Sequence, residues 1–422
     1  MLNVIGVLVS FLLVILLIRK KFTFGVVLLL GAWVLGLFAL VDGALTVEGF
    51  VHAFLAGSVY DAGGEGWYAD TVLLALLMTL IYMLARVMQR TGAIDRLVAS
   101  MRTYFVHGGM LGAIPAVYGL MPVPGGAMFS APMVDIEGNR FGLSKDQKNF
   151  LNVWFRHIWF SIYPISSAMI LICSVKFSDI DIWTLVVVNV PAFLAAVVFG
   201  LGYLQFSIRK HPRPASRPQH EPKGLLLLLP ALLPIGVYVV LSIWSVAQVP
   251  AFLIGVCLSL LLLMALLKMP ASKYLPVVKS AVTWKLAAAI IGIMIFREMF
   301  EASGATRMIA GAIGGLPISP LAVIISIPIL LGVLTGYNLG AMTLAYPLVE
   351  PFFSLTEVGI VGITSIVFLS SVIGYLVSPI HLCNVVSSEM MKTDTTRMYK
   401  MYLPAVGTML GAQVVFILLA GI

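Results

Sequence analysis

The chain has 422 residues, of which 60% are hydrophobic and only 10% charged, with a formal net charge of +8. That balance excludes a soluble globular protein, whose outer surface needs charge, and points to a chain whose solvent is lipid. The three cysteines, Cys173, Cys257 and Cys383, include no C-x-x-C pair, so neither a disulfide framework nor a zinc site is expected.

Backbone polar groups in lipid must be satisfied within the chain, so continuous apolar runs of about 20 residues are expected to be helices. The first, 2–18, lacks a basic n-region and a small-residue cleavage site before Arg19, and is read as a retained span. The remaining spans are expected at 22–41, 71–89, 150–175, 182–206, 224–246, 249–267, 284–301, 358–388 and 401–421. Two further apolar segments, 110–134 and 319–350, are interrupted in their middles by Pro, Gly or Asn and are read as re-entrant hairpins. The expected fold is therefore an all-α membrane protein of about ten transmembrane helices plus two re-entrant hairpins.

Basic residues fix the expected orientation. With 19–21 in the cytoplasm, all of the 26 Lys and Arg except Lys176, Arg297 and Arg307 fall on cytoplasmic segments or adjoining helix ends. The loop from Asp42 to Asp70 has none. Both termini are then outside a multi-pass inner membrane protein. The basic residues are scattered over six loops, which removes a nucleic-acid partner and leaves the lipid bilayer.

The two interrupted segments resemble each other. Leu120 matches Leu334, Gly126-Ala127-Met128 matches Gly340-Ala341-Met342 at the same spacing, and Pro132 to Asp135 matches Pro347 to Glu350 after one inserted residue. Each follows a Gly-Ala pair (Gly92-Ala93 and Gly304-Ala305) and a short amphipathic stretch. Each precedes a span broken at a proline, Pro164 or Pro379. Residues 1–206 and 224–422 are thus expected to be two inverted repeats of five spans and one hairpin, joined by a basic cytoplasmic linker, 207–223.

Non-helical backbone at membrane depth is tolerated only where it is buried in protein or lines a wet cavity. The tips Met121 to Gly126 and Thr335 to Gly340 are such backbone. Helices restarting after them offer N–H groups to an anion, and carbonyls freed at the breaks can hold Na⁺ as a coupling ion. The expected substrate-binding residues are Pro122, Pro124, Gly125, Gly126, Ser130, Ser166, Ser167, Thr335, Gly336, Tyr337, Asn338, Gly340, Thr343, Ser378, His381 and Asn384. A hydroxyl bonded back to its own helix is the competing role for each Ser or Thr. His381 is a candidate for proton coupling because imidazole titrates near neutral pH, and Asp135, Glu350 and Glu298 are the carboxylate candidates. Arg156 and His157 lie two helical turns before Pro164; Arg156 is read first as snorkelling to the cytoplasm and second as an attractor of anions. No catalytic motif, Walker A sequence or cofactor fingerprint occurs, so the chain is not expected to be an enzyme or to carry a cofactor.

On Met121-Pro-Val-Pro-Gly-Gly-Ala-Met-Phe-Ser-Ala-Pro-Met-Val-Asp135 and Ser378-Pro-Ile-His-Leu-Cys383, over nearly its whole length, the chain resembles an uncharacterised prokaryotic membrane-protein family, domain-of-unknown-function family 401, of the ion-transporter superfamily. That superfamily includes gluconate, citrate, dicarboxylate, arsenite and sodium–proton carriers. The resemblance implies an inverted-repeat fold, tips meeting near the midplane, and a homodimer with elevator motion. The Ser-Asn-Thr tip of the dicarboxylate carriers is absent, so substrate identity does not carry over. The expected function is a secondary active transporter of a small organic anion coupled to H⁺ or Na⁺. The alternatives are a sodium–proton antiporter and, further off, a membrane-embedded enzyme or a channel.

Overall fold

The computed structural model describes residues 2–58, 60–61, 66–67, 69–101, 104, 108–120, 126–208, 222–314 and 318–422. The hairpin tip residues Pro122, Pro124 and Gly125, and most of the 207–223 linker, lie outside the described residues.

The first half of the chain begins with α1 (Leu2–Arg19), α2 (Phe24–Val41), α3 (Val47–Ala56) and α4 (Ala69–Arg90). Amphipathic α5 (Ala93–Met101) leads to α6 (Met110–Gly119) and α7 (Ala127–Asn139). Then come α8 (Lys145–His157), a 3₁₀ turn over Ile158–Ser161, short α9 (Ser167–Ile172), α10 (Ile182–Val188) and α11 (Val190–Ile208). The second half follows. It runs through α12 (Leu229–Ser242), α13 (Gln248–Leu267), α14 (Ala271–Ala281), α15 (Lys285–Ala302), α16 (Ala305–Gly314), α17 (Pro320–Thr335) and α18 (Asn338–Val349). A 3₁₀ turn over Glu350–Leu355 precedes α19 (Ile360–Val377), α20 (Leu382–Met391) and α21 (Tyr399–Ala420). A two-residue antiparallel pairing, β1 (Tyr60–Asp61) with β2 (Gly66–Trp67), is the one departure from helix among the described elements.

Nine helical stretches among the described residues are long and apolar enough to cross a bilayer. They coincide with nine of the ten expected spans. The tenth, 150–175, is not one helix. Pro164 has no N–H to continue a helical ladder, and the chain breaks into α8, the 3₁₀ turn and α9 around it. The span ending at Val377 is likewise interrupted over Ser378 to His381, around Pro379, before α20 resumes. Large apolar side chains such as Leu8, Val41, Val198 and Leu419 are more than half exposed, as lipid-facing residues are.

The packing partners recur between the halves. α1 packs on α2 as α12 packs on α13; α2 packs on α15 as α13 packs on α4; α3 packs on α15 as α14 packs on α4. α6 meets both α7 and α8, and α17 meets both α18 and α19. α7 touches α20, and α18 touches α9. At the α2–α15 contact a Cβ on Gly25 would sit 2.2 Å from the carbonyl oxygen of Ala288, so the backbones approach as closely as small residues allow.

Buried polar bonds join the halves. Asn149 Nδ2 donates to Ser388 Oγ and Asn152 Nδ2 to Ser387 Oγ, each at 2.8 Å, tying α8 to α20. Gln413 on α21 donates to Val188 O and to Ser365 Oγ, and Ser365 Oγ donates to Asn189 Oδ1, which secures the α10–α11 junction to α19. Interhelical bonds of this kind contribute about 0.6 kcal/mol each in a membrane bundle, with geometric selectivity as their larger effect.

Candidate functional site

The site begins with three places where helix gives way to other backbone. α9 restarts at Ser167 with Ser166 as its N-cap, and Ser166 Oγ accepts from Met169 N at 3.4 Å. α17 ends at Gly336, whose φ of +61° is in the left-handed region, and α18 restarts at Asn338. α20 restarts at Leu382 after His381. The tip of the α17–α18 pair touches the α19–α20 break directly: a Cβ on Gly336 would lie 2.8 Å from Ile380 Cγ1.

A cavity of about 290 Å³ sits where these breaks meet. Its wall includes Ser166, Ser167, Gly336, Tyr337, Asn338 and His381, six of the residues expected from the sequence. α4 and α15 close it with Met78, Ile81, Tyr82 and Leu286. The wall thus includes the first turns of α9, α18 and α20, where unsatisfied backbone N–H groups and the positive end of the helix dipole favour an anion.

Arg156 and His157 also line this cavity. Arg156 is 2% exposed, which corrects the expectation that it snorkels to the cytoplasm and removes it from the cytoplasmic charge set. α8 packs against α6, α7 and α20, so its last turn ends inside the protein. Arg156 Nη1 donates to Tyr118 O at 2.5 Å, and its guanidinium lies over Gly126, where any Cβ would come within 2.2 Å of Nη2. His157 is fully buried, and its Nδ1 is 2.6 Å from Val153 O. A carbonyl only accepts, so Nδ1 carries the proton and the Nε2 lone pair is left without a hydrogen bond. His381 meets it edge to face at 4.7 Å between ring centroids, and neither of its ring nitrogens makes a hydrogen bond of ordinary geometry.

The remaining expected residues serve the frame around the cavity. Thr335 Oγ1 donates to Leu331 O, Thr343 Oγ1 to Leu339 O and Ser130 Oγ to Ala127 O, each within its own helix. Ser378 Oγ donates to Val333 O, pinning the α19–α20 break to α17. Asn384 donates to Leu376 O and Ser378 O and accepts from Tyr402 Oη, closing the open end of α19. Gly340 packs near Phe24 and Tyr337 and is not part of the wall. The three carboxylate candidates are in ion pairs outside the cavity wall: Asp135 with Lys148 at 2.5 Å, Glu298 with Lys176 at 2.7 Å, and Glu350 with Arg297 at 3.8 Å.

The sequence reading missed Tyr375 and Cys383 as wall residues, although both lie in the stretch Tyr375 to Asn384 that marks the break. It also found no spaced Cys/His motif. The fold nevertheless brings His157, His381 and Cys383 together from opposite halves, with one donor atom of each within 4.8 Å of the others.

A family model described as protein of unknown function (DUF401) matches residues 2–420. No curated protein matches the chain.

Proposed function

Given that the chain belongs to the DUF401 family, a family of unknown function, we propose that it is a secondary active transporter of a small organic anion, coupled to H⁺ or Na⁺. The observation that carries this reading is the buried Arg156 at a cavity walled by helix N-termini. A charged side chain inside a membrane bundle is costly and marks a substrate or ion pathway by default. An arginine held by Tyr118 O and laid over Gly126 presents a fixed donor fork, which suits a carboxylate. The first turns of α18 and α20 add N–H donors, and Ser167 and Asn338 add polar side chains.

The matched element order and packing partners of the two halves support two inverted repeats, with α6–α7 and α17–α18 as re-entrant hairpins. Broken helices at a central site between such repeats are a recurring carrier plan. On this reading the protein belongs to the ion-transporter superfamily. It lies in the inner membrane with both termini outside, works as a homodimer, and moves its cavity by elevator motion. The sodium–proton antiporter is the weaker reading, because Asp135, Glu298 and Glu350 are all paired with cations away from the cavity.

The test is a thermal-shift screen of purified protein in detergent against hydroxy acids, sugar acids, di- and tricarboxylates and inorganic oxyanions, with and without Na⁺ at two pH values. A ligand that binds only the folded protein raises its apparent stability, by about 2.7 kcal/mol at a hundred times its Kd. One anion class should stabilise, with a Na⁺- or pH-dependent shift. Stabilisation by Na⁺ or pH alone, with every anion silent, overturns the anion carrier in favour of the antiporter.

A further inference from the structure

We infer that His157, His381 and Cys383 form a binding site for one borderline-soft divalent cation of the Zn²⁺ class, and that the anion of the proposed function occupies its open coordination position. The second half of this inference rests on the anion-carrier reading; the first half stands on the donor set alone. The three donors are buried, come from α8, the α19–α20 break and the first turn of α20, and converge within 4.8 Å. Tetrahedral Zn²⁺ with two imidazole nitrogens and one sulfur needs donor separations of about 3.4–3.6 Å. Rotamer adjustments on the order of an ångström therefore close the set around an ion.

The imidazoles are prepared for this role. His157 Nδ1–H donates to Val153 O, which is the outer hydrogen bond that metal-binding histidines ordinarily make, and this leaves the Nε2 lone pair free. One nitrogen of His381 has the Leu376 carbonyl as its only neighbouring acceptor and the other has no partner, which is costly for a buried ring unless a ligand meets it. Imidazole with thiolate selects Zn²⁺-class ions over Na⁺, Mg²⁺ or Ca²⁺, which take oxygen donors. Binding displaces the thiol proton of Cys383 to solvent, so the dication, one thiolate and two neutral imidazoles carry a net single positive charge. That residual charge favours an anion, and three protein ligands leave a position open for a carboxylate oxygen. Cation and anion should therefore bind cooperatively, each raising the affinity of the other by the same factor.

The experiment uses the full chain in detergent, stripped with a chelator and titrated with Co²⁺ as a spectroscopic probe and Zn²⁺ as competitor. One Co²⁺ per chain should bind with a sulfur-to-cobalt charge-transfer band in the near ultraviolet, reversed by Zn²⁺. Cys383→Ser should abolish the band, His381→Gln should weaken binding at least tenfold, and Cys257→Ser, at an exposed position on α13, should change nothing. X-ray absorption on the unaltered protein loaded with Zn²⁺ should find one sulfur at about 2.3 Å, and serves if a variant does not fold. Absence of a band, a band that survives Cys383→Ser, or a zinc shell without sulfur overturns the site. Adding carboxylates to the Co²⁺ form should alter its visible bands and tighten Co²⁺ at least tenfold. A Cys383-dependent band that ignores every carboxylate keeps the cation site and overturns only the shared anion.

Discussion

Arg156 illustrates how a single residue changes meaning with its surroundings. Its place near a helix end among other cations reads as an interfacial charge, yet it is buried, bonded to Tyr118 O and laid against Gly126. Arg156→Lys keeps the charge but loses the planar fork. It should weaken anion binding about tenfold or more, measured as the ligand concentration needed for a given thermal shift. Gly126→Ala places a methyl on the guanidinium and should reproduce that loss with a smaller change in ligand-free melting; an unchanged ligand response in both variants would count against Arg156 as the anion's partner. Asn384, expected as a ligand contact, instead satisfies two carbonyls left open by the break after Val377. Asn384→Ala removes those bonds and strands Tyr402 Oη. Since each buried unsatisfied group costs about 1–3 kcal/mol, it should lower the ligand-free melting temperature well beyond Tyr402→Phe.

Among the elements, the breaks were the most legible feature, because proline and glycine act on local backbone. Pro164 and Pro379 predict interruptions, and the helices stop around both. Gly336 adopts left-handed φ against the Ile380 side chain and the His381 backbone. Gly336→Ala should destabilise by about 1–2 kcal/mol from conformation alone, and more from the contact, read as a drop in melting temperature; a neutral result would mean that this tip relaxes freely. Two helices escaped the sequence reading, α3 and α14. Both are short, and α14 carries Lys273, Lys279 and Pro276, so a window tuned to about 20 apolar residues passes over them. Each packs on the fourth helix of the other half, α3 on α15 and α14 on α4.

At the scale of the whole molecule, the proposed inversion of the halves makes a sharp topological prediction. A single cysteine at Ser216, in the basic linker, should be labelled by an impermeant reagent only when the cytoplasmic face is opened; labelling in intact cells overturns the proposed orientation. Composition and hydropathy determined the membrane class, nine of the spans and the helix interruptions, because those properties are written along the chain within windows of some 20 residues. Of the two matched segments, 110–134 and 319–350, the second carries one of the breaks that wall the cavity, over Gly336 to Asn338. Which polar residues face that cavity was decided by tertiary packing. Thr335, Thr343 and Ser130 look like ligand contacts in sequence and bond to their own helices in the fold. His157 and Cys383 stand in different halves, and only the packing of α8 against α20 brings their donors within 4.8 Å. The direction of a side chain and its distance from a remote residue depend on how helices cross, and crossing is a property of the assembled bundle rather than of any stretch within it.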